Sequence, residues 1–158
     1  MLLLFTGAFA GPPAISGVRN LYKASAIEED SCRKLIGILT AYNETNNPLL
    51  TGYRACATMM MAGYVINPLS KLSKFNEGKN VLEKCIEASA ENIELRFLRF
   101  SMQCKAPSFL GYNASLQADK YLLLQAVSSI PDLQLKEMIL SFFKNSDCLN
   151  DSEKQIIK

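Results

Sequence analysis

The chain has 158 residues, of which 49% are hydrophobic and 20% charged, and its formal net charge is +2. That balance excludes a disordered polymer and the basic surplus of a nucleic-acid binder. The chain contains no histidine, which removes the commonest general base and most zinc and haem ligand sets.

The first ten residues hold an apolar run, Leu2-Leu3-Leu4-Phe5, and a small-x-small triplet, Ala8-Phe9-Ala10. They read as the tail of a signal peptide, with a single helical domain over 15–158. The protein is then expected in the periplasm or cell envelope. The other reading of the leader is an apolar terminus packed on the domain, which leaves the protein cytoplasmic. No run reaches the ~20 apolar residues that a membrane span needs.

Gly11-Pro12-Pro13 separates the leader from a first helix over Ile15 to Ala24, with Val18, Leu21 and Tyr22 inward. Ser25-x-x-Glu28 has the form of a capping box and predicts a second helix starting at Ser25. On that helix Cys32, Leu35, Ile36, Leu39 and Tyr42 share a face. Asn47-Pro48 and Asn67-Pro68 each place a capping residue before a proline at the first helical position. The helix after Asn67 extends to about Ala88, and Gly78 in its interior marks a bend or a close helix contact. Ile93, Phe97, Phe100 and Cys104 line one face of the next helix, and Leu95, Leu98 and Met102 line another. A helix apolar on two faces belongs in the centre of its bundle. Lys105 to Asn113 breaks it, Leu116 to Ser129 is helical again, and Pro131-Asp132 restarts the chain. Asn150-x-x-Glu153 caps a short last helix.

The pattern predicts an all-α fold of about seven helices in consecutive antiparallel hairpins. Five cysteines, at 32, 56, 85, 104 and 148, form no C-x-x-C pair. Most are expected to act as small buried hydrophobes. The lesser reading is a disulfide, made in an oxidising compartment.

Gly78 to Asn92 resembles the second helix and exit turn of a tetratricopeptide repeat, with small residues at Gly78 and Cys85 and a large one at Leu82. The first helix lacks the family's usual order and no clean 34-residue period recurs. A broader resemblance covers Val18 to Leu149. It rests on Leu50-Thr51-Gly52-Tyr53, Asn67-Pro68, Glu94-Leu95-Arg96-Phe97-Leu98-Arg99-Phe100 and Ala106-Pro107-Ser108-Phe109-Leu110-Gly111-Tyr112. These motifs are similar to those of a group of small, exported, helical bacterial proteins with no established activity. The resemblance implies export and supplies no catalytic residue.

Arg96 and Arg99 share a helix face at i,i+3. With Lys105 they form a basic stretch that lacks acids between Glu94 and Asp119. One reading is a clamp for a partner's carboxylates. In the other, each arginine pairs with a neighbouring acid, with Glu87, Glu91 and Glu94 available, or caps a loop carbonyl. Phe109 and Tyr112, in an apolar loop, either dock on the core or anchor a partner. The candidate binding face is therefore Arg96, Arg99, Lys105, Phe109 and Tyr112. Met59-Met60-Met61 could offer thioethers to copper(I), but consecutive helical positions diverge, and core filling is the stronger reading.

No catalytic residue, metal site or cofactor is expected. The leading functional reading is a non-enzymatic interaction module that holds a protein or peptide. A lipid- or small-ligand-binding helical protein is the alternative, and an enzyme without a recognisable motif is the third. A groove rimmed by Arg96, Arg99 and Lys105 would favour the first, and a large apolar cavity the second.

Overall fold

The computed structural model describes residues 11–157. The leader, and with it the expected cleavage site, lies outside these residues. Among them the protein is all-α, with eight helices and no strand. These are α1 (Ile15–Ser25), α2 (Glu29–Ile38), α3 (Pro48–Met60), α4 (Pro68–Ala88), α5 (Ile93–Lys105), α6 (Leu116–Ala126), α7 (Leu133–Asn145) and α8 (Asp151–Ile156). Single 3-10 turns extend α3 and α6, and another lies in the loop after α5.

The helix starts are set by local chemistry. The side-chain oxygens of Asn47, Asn67, Asn92 and Asp132 each accept a hydrogen bond from one or two amides of the following turn. Such caps satisfy donors that have no intrahelical partner. Asn150 and Glu153 form a full capping box at α8. The box expected at Ser25 does not form. Ser25 is the last residue of α1, and its hydroxyl donates back to the Leu21 carbonyl. The start of α2 shifts to Glu29, and its N-cap residue, Glu28, instead accepts from the Ser31 hydroxyl.

Consecutive helices pack on one another from α1 to α6, and α5 also meets α3 and α7. Two helices are central. In α3 and in α5, nine of thirteen residues are buried. The double apolar face of α5 explains its place. That of α3 depends on small residues. A methyl group added at Gly52 would overlap a Leu95 methyl of α5, and one at Gly78 would overlap the Ala55 carbonyl and the Met59 backbone of α3. Gly78 therefore marks close contact between two helices, because α4 runs unbroken through it. Phe97, Phe100, Phe142 and Phe143 meet edge to face, with centroids 5.7–5.8 Å apart, and join α5 to α7.

Cys104 and Cys148 form a disulfide that ties the end of α5 to the segment before α8. Cys32, Cys56 and Cys85 are buried free thiols. The cysteines thus divide between the two readings made of them.

Candidate functional site

The five residues singled out from the sequence do not form one face. Arg96, Arg99 and Tyr112 enter an internal network between α4, α5 and the start of α6. Arg99, only 6% exposed, donates to both Asp119 carboxylate oxygens at 2.6 and 2.9 Å and to Glu83 at 2.8 Å. Arg96 donates to the same Asp119 at 2.9 Å and to the Ala90 carbonyl. The Tyr112 hydroxyl donates to the other Glu83 oxygen. Its ring meets Phe75 edge to face and lies under the Lys79 ammonium.

Asp119 is fully buried, and a carboxylate in that position requires cations around it. Burial alone would lower the Arg99 pKa, but the hydrogen bonds it donates to Asp119 and Glu83 reverse this and raise it. Burial, then Glu83, raises that of Tyr112. The arginines find acids, as the plainer reading expected, but not Glu87, Glu91 or Glu94. Asp119 is 20 residues along the chain from Arg99 and Glu83 is 16, so tertiary packing brings the three together.

A second network escaped the sequence reading. Arg19 and Glu94 are both buried and form a two-bond ion pair at 2.7 and 2.8 Å. The Tyr53 hydroxyl also donates to Glu94, and Arg19 reaches Asp132 and Gln134. The cluster joins α1, α3, α5 and α7. The Glu94 hydrogen bond raises the Arg19 pKa, and burial raises that of Tyr53. None of its residues lines the apolar groove between α1, α4, α5 and α7.

Lys105 and Phe109 lie elsewhere, on an apolar groove of about 1170 Å³. Its walls come from four segments: within 22–27 at the end of α1, within 59–75 around the α3–α4 junction, within 97–110 in α5 and its loop, and within 138–145 in α7. Met59, Met60, Met102 and Met138 all contribute. Methionine adapts its shape to irregular apolar partners. Tyr22 and Ser101 supply a hydroxyl pair 2.7 Å apart, and the Ser101 hydroxyl also reaches the Leu98 carbonyl. The lips are exposed and apolar: Phe109 is 85% exposed and Ile27 82%. Met61, next to Met60, turns instead to a smaller hollow beside Arg54. The methionine triplet therefore does not converge.

The groove offers no recognisable catalytic set. Among the described residues, no group of three His, Cys, Asp or Glu side chains could hold a metal ion. The free thiols lie in the core. Burial pushes the Cys32 pKa up to about 11 and the Cys85 pKa up to about 12, so neither is a ready thiolate. No helix among the described residues is long and apolar enough to cross a membrane. What the groove can do chemically is take apolar surface out of water. No protein-family model, curated protein or solved structure matches this chain.

Proposed function

We propose that this protein is an exported, non-enzymatic binding protein that holds a long apolar chain, such as that of a lipid, in the groove between α1, α4, α5 and α7. The single observation that carries the reading is the groove, which is walled by methionines, aromatics and aliphatic side chains. Its volume lies at or above the upper end of the range of about 300–1,000 Å³ usual for small-molecule pockets, which suits an extended ligand. Export is supported by the Cys104–Cys148 disulfide, since such bonds persist mainly in oxidising compartments. The resemblance of several motifs to those of small exported helical proteins points to the same placement.

A protein or peptide partner is the second reading. Its support is the exposed lip formed by Ile27, Leu72 and Phe109, because amphipathic helices dock in grooves of this kind. A tetratricopeptide-like hairpin of α3 and α4 is in keeping with the close contact at Gly78 and the burial of Leu82 and Cys85.

The test is organic extraction of the protein purified from its native envelope fraction, followed by mass spectrometry. A chain-bearing lipid is expected from the parent, and its yield should fall roughly tenfold in the Leu72→Ala, Phe109→Ala variant, which removes exposed apolar contacts worth about 1.4 kcal/mol in all. Extraction of no lipid, together with a specific crosslinked protein partner lost in the same variant, would replace this reading with the second.

A further inference from the structure

We propose that the ligand of the groove is an amphiphile with an anionic head, the chemistry of a long-chain fatty acid, and that Lys23, Lys71 and Lys105 select that head. This inference rests on the reading of the groove as a site for an apolar chain.

The argument is one of charge complementarity. The three lysines come from α1, α4 and α5, and no aspartate or glutamate lines the groove. Elsewhere, the two buried arginines and Lys120 carry carboxylates, while Arg54 donates to the Tyr42 carbonyl. Arg19 has Glu94 and Asp132, Arg99 has Asp119 and Glu83, and Lys120 has Glu153. Among the described residues, Lys23, Lys71 and Lys105 pair with no carboxylate. Glu28 and Glu29, which follow the groove residue Ile27, do not line the groove; Glu29 pairs with Arg33, Glu28 accepts from the Ser31 hydroxyl, and the field of both reaches Tyr64 at the groove wall.

An apolar trough bearing only positive charge favours a chain that ends in negative charge. A neutral chain of the same length gains the burial and leaves the charges unanswered. Lysine also suits the task physically. Its stem packs along apolar surface while its ammonium reaches solvent or a ligand head. The Lys105 ammonium lies over the Phe142 ring, 5.9 Å from its centre, which places this charge at the groove wall. Phe142 is itself a groove residue.

The experiment uses the full oxidised chain and the neutral dye Nile red, whose emission reports apolar sites. The dye is displaced in parallel by oleate and by oleyl alcohol, which share a chain and differ in the head. Oleate is expected to compete about tenfold better, a margin in line with three partly exposed ion pairs. That margin should shrink in high salt. It should vanish in Lys23→Ala, Lys71→Ala, Lys105→Ala, where both ligands are scored against that variant's own dye affinity. All three side chains are exposed, so the fold should survive. Circular dichroism checks this, and Lys105→Gln alone provides a milder variant.

Equal competition by the two ligands, or a preference that survives the triple variant, overturns the anionic-head proposal and leaves the groove reading standing. Failure of the parent to bind dye, oleate and alcohol alike removes the groove reading and this proposal with it. Binding to anionic vesicles without displacement by free oleate also overturns it, and assigns the lysines to a membrane surface.

Discussion

Asp119 decides the fate of the most conspicuous residues in the chain. In the sequence it ends the acid-free stretch that makes Arg96 and Arg99 look available. In the fold it is fully buried and receives both of them. Truncating both arginines leaves Asp119 buried without a cation. The Arg96→Ala, Arg99→Ala variant is therefore expected to lose about 3–5 kcal/mol of stability in urea denaturation. Dye binding in the groove should be unchanged well below the transition. A variant as stable as the parent would mean that the network contributes no net stability. The contrast with the helix caps is instructive. Asn47, Asn67 and Asn150 were legible in the sequence because each cap joins residues within one turn. Ser25 misled because a serine hydroxyl has a competing local acceptor, the carbonyl four residues back, and takes it.

At the level of elements, two glycines in helices should respond to the same substitution with opposite signs. Gly37 lies in α2 with nothing near the site of an added methyl group. Gly37→Ala should gain up to ~1 kcal/mol from helix propensity. Gly78→Ala gains the same intrinsic term but drives a methyl group into the α3 backbone. Overpacking of this kind costs about 1–3 kcal/mol, and it meets backbone that cannot turn aside. A net loss is expected, measured as opposite shifts of the urea midpoint for the two variants. Most helices could be read from their periodicity, and the centrality of α5 from its two apolar faces. The centrality of α3 was harder to see. Burial of Thr51, Gly52 and Thr58 makes no apolar stripe, and only the approach of Leu95 and Gly78 reveals why small residues are there. The groove was illegible for a related reason. Its walls are ordinary apolar residues from four separate segments, and no local pattern says that they surround a space and not one another.

For the whole molecule, covalent and ionic ties set the conditions under which it holds together. The Cys104–Cys148 bond spans 44 residues of sequence. A loop of that length implies stabilisation of about 4 kcal/mol through the unfolded chain. Reductant, or Cys148→Ser, should lower the melting temperature markedly; a melting curve unchanged by reductant would argue against the bond. Acid should act through the carboxylates that the fold favours in their charged form. Asp132 is held below its ordinary value of 3.8, first by the Leu135 amide and then by Arg19. Glu153 is held below 4.5, first by Lys120. Both bind protons more readily when unfolded, so the stability they lend is present above those ordinary values and drains away as pH falls through the lower native ones. Melting temperature should be flat from neutrality to about pH 5 and fall below about pH 4, less steeply in Asp132→Asn.

The same disulfide has a topological consequence. It closes a covalent ring that begins at Cys104, runs through the Phe109 loop, α6 and α7, and returns at Cys148. Phe109 projects from that ring and is the obvious target for a protease that cuts after aromatic residues. A single nick there opens the ring without parting the molecule. The cut protein should run as one species on a non-reducing gel and as two on a reducing gel. The exposed lip of the groove can thus be severed while all of its walls stay on one covalent body.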